Sequence, residues 1–438
     1  MIYFGKIKKK YKVVKEQGLL WFLKAIYRKI FSLFLEAISL LCVAVILALR
    51  PVKKIKFVQL ISFRIGHYAL NTELMLCAMD VGDIKEKSKL IFYTTPDMPI
   101  CNKQLHRMWK RVIRIFPFPK LISRIDLKLN IFLKESVIPI TNGHMDIKYF
   151  ENMNAGLDTR AYLSRTSPHL FFTKKEGRKG KKLLNDMGIP EGAKFICIHG
   201  RDKQYLKTHI PSNWDYHNYR DVDIDNYKET ALFLADKGYY VVRVGKYVEK
   251  RFKVNHPRVI DYAGSNFRSD FLDIYLAAKC YFFVANSSGL DSVPQLFRKP
   301  VLVCNVATFF EVQTWDPVKL FLPKNLIHSK TKRIISFNET LRIFSSLLER
   351  KKIHYQILQE NDLEFVENSP KEILAAVKEM LLLLEGKWEM LDRDHELQSV
   401  FWKNFPMNMK LDVNYPKHGK VDVKISPSFL RKYEALLE

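Results

Sequence analysis

The chain has 438 residues, of which 47% are hydrophobic and 13% aromatic, so it can hold more than one domain and is too apolar to be mostly disordered. Charged residues make up 27%, which argues against an integral membrane bundle. The 72 lysines and arginines outnumber the 46 aspartates and glutamates, and the formal net charge of +26 favours anionic partners such as nucleic acid, anionic lipid or phosphorylated ligands.

The longest apolar run, IFSLFLEAISLLCVAVILAL at residues 30–49, is interrupted by Glu36 and has basic residues on both sides. An apolar run of about twenty residues can span a bilayer, but a span would carry one basic cluster across it, against the positive-inside tendency. We therefore expect residues 1–55 to form a membrane-association segment whose helix lies in the cytoplasmic leaflet. A true span and a helix packed on the protein itself are the open alternatives. No cleavable secretory signal is expected, because the start is rich in lysine.

Residues 56–165 are expected to form a first Rossmann-like α/β domain. The run FVQLISF at 57–63 suits a buried parallel strand, and the loop RIGH and the helix-like YALNTELMLCAMD follow it. Residues 90–93 are a second strand candidate.

Residues 166–345 are expected to form a second Rossmann-like domain with a doubly wound parallel sheet, because short apolar runs alternate with helix-like segments. The predicted strands are at 195–199, 239–244, 258–262, 281–285 and 301–304, and the predicted helices at 225–236, 270–279 and 289–297. A helical C-terminal tail at 346–438 is expected to follow, with an amphipathic helix at 370–384 that has Pro370 in its first turn.

Polar and glycine residues follow these predicted strands, where ligands bind in parallel sheets. The candidates are His199, Arg201, Asp202, Arg243, Gly245, Gly264, Ser265, Ser287, Ser288 and Gly289. A Ser-Ser-Gly turn before a helix offers backbone N–H groups, hydroxyls and close approach to a diphosphate, and an arginine offers a fork of donors. An ordinary serine cap and a histidine satisfied at the sheet edge are the open alternatives.

His67, in the loop after the first strand, is the candidate general base, because an imidazole has an ordinary pKa near ~6.5. Glu73 is the reserve base, and a helix-capping role is the alternative for His67. The D-x-D strings at 221–225 are expected to cap a helix, with Asp225 as its first cap, rather than to bind a metal. The sequence contains no C-x-x-C, no P-loop, no G-x-G-x-x-G after a strand and no G-x-S-x-G.

The motifs HGRD, YHNYRDVDIDNY, GYYVVRVG, NSSGLDSVPQLFRKPVLVCN and RIGHYALNTEL together resemble a family of bacterial GT-B glycosyltransferases. The resemblance covers residues 57–308 and implies two facing Rossmann-like domains, with the acceptor on the first and the nucleotide sugar on the second. The His-x-Arg element also resembles fucosyltransferases that hold GDP-fucose, so a GDP-linked donor is one candidate. The long apolar N-terminus is not part of the general GT-B pattern.

The resemblance implies metal-independent transfer of a sugar, with the nucleotide sugar as co-substrate and no cofactor. Arg201, Ser287, Ser288 and Gly289 would hold the diphosphate, and Arg243, Gly245, Gly264 and Ser265 would line the nucleotide pocket. His67 would take the acceptor proton, as a base at this position does in several GT-B enzymes.

We expect the acceptor to be a surface glycan or its lipid-linked precursor, and the protein to lie peripherally on the cytoplasmic face of the inner membrane. The alternative is a non-catalytic, membrane-associated assembly subunit with a degenerate nucleotide site. Nucleic-acid binding is not expected, because the sequence contains no recognisable nucleic-acid module.

Overall fold

The computed structural model describes residues 2–84, 87–133, 157–204, 215–307, 312–350, 354–405 and 421–437. The chain divides into two compact units. Unit 1 contains Met1–Ile61, Glu86–Pro99 and Ile113–Ile147, and unit 2 contains Ser62–Lys85, Ile100–Val112 and Lys148–Glu438.

The described residues form eleven strands and fourteen α-helices, interspersed with short 3-10 turns. The strands are β1 (Ile55–Leu60), β2 (Lys89–Thr94), β3 (Phe195–Ile198), β4 (Tyr240–Arg243), β5 (Val259–Ile260), β6 (Phe283–Ala285), β7 (Val301–Val306), β8 (Val318–Pro323), β9 (Asn325–His328), β10 (Leu363–Val366) and β11 (Lys424–Ile425). The helices are α1 (Ile2–Leu49), α2 (Thr72–Asp80), α3 (Lys103–Val112), α4 (Pro119–Leu133), α5 (Tyr162–Arg165), α6 (Lys174–Asp186), α7 (Lys228–Asp236), α8 (Asp270–Lys279), α9 (Ser292–Leu296), α10 (Phe337–Arg350), α11 (His354–Glu360), α12 (Pro370–Leu384), α13 (Asp392–Asn404) and α14 (Pro427–Lys432).

Unit 1 joins the apolar helix α1 to a two-stranded parallel sheet and to α4. Strands β1 and β2 pair in parallel with Ile55 opposite Lys89. A cluster of buried side chains from α1, both strands and α4 forms its core: Val43, Phe57, Tyr93, Ile125 and Leu129. The predicted N-terminal apolar helix is confirmed, and its segment Phe22–Leu49 is long and apolar enough to cross a membrane by length and composition.

Unit 2 is built on a seven-stranded sheet with the order β11-β8-β7-β6-β3-β4-β5. Every neighbouring pair in this sheet is parallel, and Phe195 lies opposite Tyr240 while Cys197 lies opposite Phe283. All four residues of β3 are buried, as expected for a parallel strand covered on both faces. The predicted α/β class with a parallel sheet is therefore confirmed.

Serine caps explain why two helices begin where the sequence predicts. The Ser269 hydroxyl accepts the Leu272 N–H at 3.3 Å ahead of α8, and Ser369 forms a reciprocal capping box with Glu372 ahead of α12. The basic stretch KKEGRKGKK begins α6 after a similar capping box at Thr173.

Several local expectations are corrected by the structure. Asp223 rather than Asp225 caps the turn before α7, because its carboxylate accepts the Asp225 N–H at 3.0 Å. The predicted helical tail at 346–438 also contains strands, and β11 within it pairs with β8 at the edge of the main sheet. Residues 134–156 of the predicted first domain lie outside the described residues, and the two facing domains and their boundaries stay predictions.

Candidate active site

The loops after β3 and β6 meet at the point where the sheet changes direction. From β3 the chain proceeds through β4 to β5 on one side, and β6 begins the other side, which continues to β7 and β8. Ligands of doubly wound sheets bind outside the carboxyl ends of the strands at such a switch point. The HGRD and NSSG motifs therefore occupy the position where this fold places a ligand.

Arg201 is held in the loop after β3 by two neighbours. Its backbone N–H donates to the Asn286 side-chain oxygen at 2.9 Å, which ties the β3 loop to the β6 loop. Its guanidinium pairs with the Asp221 carboxylate. Burial raises the pKa of Asp221 to about 6, although the Arg201 charge opposes this rise. A phosphate oxygen approaching Arg201 would replace this carboxylate.

His199 and Ser288 join the same two loops. The Ser288 hydroxyl oxygen lies 3.1 Å from His199 Nδ1. Burial, followed by the charges of Arg243 and Arg201, lowers the pKa of His199 to about 3, so the imidazole stays neutral at physiological pH. The hydroxyl donates to Nδ1 when the imidazole proton is on Nε2 and accepts from Nδ1 in the other tautomer.

The Ser287–Gly289 turn is fixed by Arg220, a residue that sequence reasoning did not single out. Ser287 has a left-handed backbone with φ of 52°, and its carbonyl accepts a hydrogen bond from Arg220 Nη2. The Arg220 carbonyl in turn accepts from the Asn286 amide at 3.2 Å. Arg220 lies in the stretch DYHNYRDVDIDNY, whose richness in Tyr, Asp and Arg was the available signal.

Asp291 closes the turn from the other side. Its carboxylate accepts the Ser288 backbone N–H at 3.0 Å. Burial raises the pKa of Asp291 to about 7, with the Arg220 charge acting in the opposite direction. The Ser288 N–H is thus already engaged by the protein.

The residues predicted to line the nucleotide pocket mainly brace the loops after β4 and β5. Arg243 is buried and pairs with Asp261 at 3.2 Å, and burial lowers its pKa while Asp261 opposes that change. The Ser265 hydroxyl donates to the Tyr262 carbonyl at 2.8 Å. A Cβ on Gly264 would lie 2.6 Å from an Asp261 oxygen, so this glycine allows the loop to pack on the Arg243–Asp261 pair.

Asp202 and Gly245 bring the β4 loop up to the β3 loop. The Asp202 carboxylate accepts the Gln204 N–H at 2.9 Å and the Glu249 N–H at 3.0 Å. A Cβ on Gly245 would lie 4.0 Å from the His199 ring. These two predicted residues therefore lie beside His199 at the strand ends.

The RIGH loop reaches the NSSG turn directly. A Cβ on Gly66 would lie 2.8 Å from Gly289 Cα and 3.0 Å from the Gly289 carbonyl oxygen, so only a glycine fits this approach. His67 follows at once as the first residue of a π-helix, His67–Asn71. Such helices are frequent at functional sites. The structure therefore brings the candidate base and the candidate diphosphate turn into one region of unit 2.

The His67 ring is half-buried and has Asn71 as a neighbour one turn along, with 3.2 Å between its Nδ1 and the Asn71 amide nitrogen. The two ends of an amide are interchangeable by rotation. As placed, the amide nitrogen donates to Nδ1; rotated by half a turn, the amide oxygen would accept the Nδ1 proton and leave Nε2 as the basic nitrogen. Asn71 is thus a candidate positioning residue for His67, which sequence reasoning missed.

Two residues of α3 contact the π-helix at Tyr68. The Tyr68 hydroxyl lies 2.6 Å from His106 Nδ1, and the Trp109 indole donates to the Tyr68 carbonyl at 2.9 Å. Burial raises the pKa of Tyr68 and lowers that of His106, so both are neutral at physiological pH. The hydrogen bonds of Tyr68 with His106 and Trp109 hold the backbone next to His67 in place.

Glu73, the predicted reserve base, is fully buried and held by protein groups. Arg298 Nη2 lies 2.8 Å from one carboxylate oxygen, and His169 Nδ1 lies 3.3 Å from the other. Burial works against the charge on His169, but hydrogen bonds to Cys77 and Glu73 outweigh it and raise the pKa of His169 to about 10. These contacts give Glu73 a structural setting, and its role as a base stays a prediction.

Glu73, Cys77 and His169 also have ligand atoms that all lie within 4.8 Å of one another, close enough to hold a metal ion. In this cluster the Arg298 guanidinium supplies positive charge to the Glu73 carboxylate, and Asp80 lies 3.1 Å from His169 Nε2. The charges of the cluster are therefore balanced by its own side chains.

No protein-family model matches the chain. A stretch of 106 residues, 24% of the chain, is 24% identical to an oligoribonuclease of Photobacterium profundum and spans 59% of that protein, less than two thirds of its length. This similarity does not establish a family.

Two solved structures resemble the fold at low sequence identity. A glycosyl transferase of family 9 from Veillonella parvula aligns with 75% of this chain and 97% of its own, at 11% identity and a TM-score of 0.44. The E. coli ADP-heptose LPS heptosyltransferase II aligns with 57% of this chain and 84% of its own, at 14% identity and a TM-score of 0.36. These low TM-scores do not establish a function.

Proposed function

We propose that the protein is a glycosyltransferase that moves a sugar from a nucleotide-sugar donor to an acceptor hydroxyl without a metal ion. The acceptor is a surface glycan or a lipid-linked precursor. The enzyme acts peripherally at the cytoplasmic face of a bacterial inner membrane.

The contact of Gly66 with Gly289 carries this proposal. It places the loop that bears His67 against the turn that follows β6, at the switch point of a parallel sheet. The backbone N–H of Arg201 donates to the Asn286 side chain, and the guanidinium of Arg220 donates to the Ser287 carbonyl. Both arginines are therefore tied to the same turn. A proton acceptor beside an arginine-rich, glycine-containing turn suits group transfer from a diphosphate.

The donor is bound through its diphosphate in this mechanism. The phosphate oxygens accept hydrogen bonds from Arg201 and from the Gly289 N–H, since Asp291 already accepts the Ser288 N–H. As the glycosidic bond breaks, charge grows on the leaving nucleoside diphosphate, and the fixed guanidinium groups stabilise it. They supply the positive charge that a metal ion provides elsewhere.

His67 activates the acceptor. In the amide rotamer whose oxygen faces Nδ1, Asn71 holds the Nδ1 proton and Nε2 takes the hydroxyl proton. The acceptor oxygen then attacks the anomeric carbon, and the nucleoside diphosphate leaves. A base positioned in this way contributes typically ~10²–10⁴-fold in rate.

A screen of UDP-, GDP-, ADP- and CMP-sugars by thermal shift on the full chain tests the donor step, followed by a transfer assay with membrane glycolipid acceptors. A ligand at 100 times its dissociation constant stabilises a protein by ~2.7 kcal/mol. The proposal is supported if one donor class stabilises the wild-type protein. This stabilisation should be lost in Arg201→Ala and kept in the exposed control Arg333→Ala. Absence of any donor effect contradicts it.

The second candidate is a non-catalytic assembly subunit with a degenerate nucleotide site. It is favoured by the protein contacts that already engage the predicted donor-binding side chains: Arg201 pairs with Asp221, and the Ser288 hydroxyl with His199. Donor binding without sugar transfer or donor hydrolysis would favour this candidate over the enzyme.

A further inference from the structure

Helix α1 has two faces along its second half. Leu35, Ser39 and Val43, spaced four residues apart, are buried, whereas Leu41 and Val45 are exposed. Between Ala37 and Leu49 the exposed residues are all apolar, and the buried face is covered by other parts of unit 1. This half of the helix therefore packs on the protein along one side only.

Helix α4 and the β1–β2 sheet cover the buried face. Val43 packs in one cluster with Phe57, Tyr93, Ile125 and Leu129. Glu36, the single acidic residue between Phe22 and Lys56, pairs with Lys128 and lies 3.3 Å from the Arg124 guanidinium. Its charge is thus neutralised by α4, within an otherwise apolar stretch.

These contacts are incompatible with a complete membrane span by α1. A two-stranded sheet with open edges does not occur in the hydrocarbon region, because its backbone groups would be unsatisfied there. Arg124 also donates to the Ser32 hydroxyl at 3.1 Å, so α4 contacts one side of α1 from Ser32 onward. The apolar residues ahead of it, from Phe22, reach only ~15 Å at the helical rise, about half of a ~30 Å hydrocarbon core.

Helix α4 adds its own exposed apolar side chains. Leu127 is 62% exposed, Ile131 67% and Phe132 62%, and Leu127 and Ile131 lie one turn apart. Basic residues flank the apolar stretch of α1 on both sides: Lys24, Arg28, Lys29, Arg50, Lys53, Lys54 and Lys56. Basic residues at a bilayer surface are attracted to anionic headgroups, by ~1 kcal/mol each.

We propose that α4 is a second membrane-docking helix, and that the exposed faces of α1 and α4 together bind an anionic lipid bilayer. Leu127, Ile131 and Phe132 insert beside the apolar face of α1, and Glu36 stays paired with Lys128 and Arg124. This inference rests on the peripheral membrane association in the proposed function and names the surface that carries it.

Vesicle partition of the full chain tests the proposal. The triple variant Leu127→Ser, Ile131→Ser, Phe132→Ser is compared with the control pair Leu382→Ser, Val400→Ser, which changes exposed apolar residues of unit 2. On phosphatidylcholine vesicles with phosphatidylglycerol, we expect the triple variant to bind at least tenfold more weakly and the control pair to bind like wild type. Binding of wild type should also fall as the phosphatidylglycerol fraction is lowered.

Thermal melting and donor binding are measured on the same preparations, so that failure of membrane docking is separated from failure of the transferase proposal. Unchanged vesicle binding by a folded triple variant overturns the role of α4. Conversion of a dimer to a monomer by the triple variant, with unchanged vesicle binding, would show that a second copy covers this face. Proteolysis of the N-terminal lysines only from the outer side of the membrane would contradict the docking geometry and show a span.

Discussion

At the scale of single residues, the site depends on which side chains are already satisfied by the protein. His199, Arg243 and Glu73 lie in buried contacts, with Ser288, Asp261 and Arg298 respectively. His67 is half-buried and has Asn71 beside it. The catalytic proposal rests on His67 because its loop lies against the turn after β6.

Replacement of His67 should affect turnover and spare donor binding. His67→Ala should lower the transfer rate by ~10²–10⁴-fold, because a positioned base is lost, and donor affinity should change little. Turnover per folded molecule and donor affinity are measured on one preparation. Near-normal turnover would remove His67 from the mechanism and make Glu73 the next residue to test.

Asn71 should act through His67 and not on the substrate. In Asn71→Leu, loss of the Nδ1 partner should lower kcat with little change in the donor KM and shift the acidic limb of the pH–rate profile. The conservative Asn71→Asp, which keeps an oxygen acceptor for the Nδ1 proton, should recover part of the rate. Equal rates and unchanged pH profiles in both variants would assign Asn71 a purely structural role.

The cluster around His169 should make stability pH-dependent. The pKa of His169 is raised to about 10, above its ordinary value near ~6.5. The folded state therefore binds more protons between these values, and stability should fall as pH rises from ~6.5 towards ~10. His169→Gln should be less stable at pH 6 and should lose this part of the slope, as measured by denaturant unfolding. A slope identical to wild type would contradict the assignment.

At the scale of elements, the approach of the π-helix loop to the turn after β6 is the most sensitive contact. Gly66→Ala would place a Cβ 2.8 Å from Gly289 Cα, and a backbone atom cannot rotate away. We expect lower stability and strongly reduced transfer.

Gly177→Ala is the matched control, because this glycine lies within α6 and a Cβ there meets no atom within 4 Å. Alanine in a helix interior is favoured over glycine by ~0.5–1 kcal/mol, so the control should be slightly stabilised and fully active. If Gly66→Ala behaves like Gly177→Ala, the two loops do not touch in solution.

Elements with strong local signals could be predicted from the sequence. The buried apolar runs of β3, β6 and β7 and the serine caps of α8 and α12 carry their own signatures. Strand β11 has only two residues and gains its place by pairing with β8. No local pattern indicates such a strand.

The candidate site likewise combines motifs that the sequence indicates with contacts that only the folded chain creates. The HGRD and NSSG motifs were predicted because both follow apolar strands. The Gly66–Gly289 contact and the hydrogen bond from Arg220 to Ser287 depend on chain segments brought together only by folding. Their partners could not be inferred from one sequence.

At the scale of the whole molecule, two different surfaces serve the proposed activity. Unit 1 presents the apolar faces of α1 and α4, and unit 2 contains the sheet and the loops of the candidate site. A transferase acting on a membrane-linked acceptor needs both functions on one chain. The formal net charge of +26 suits an anionic membrane and an anionic donor alike.

The most direct test of the central claim is a sugar-transfer assay on the full chain. It compares wild type with His67→Ala and uses the donor that gives the largest thermal shift. The account predicts release of nucleoside diphosphate coupled to glycosylation of a membrane-extracted acceptor by wild type. It also predicts a rate at least a hundredfold lower for a folded His67→Ala that binds the donor normally. Donor binding by wild type without any transfer, or equal transfer by both proteins, would contradict it.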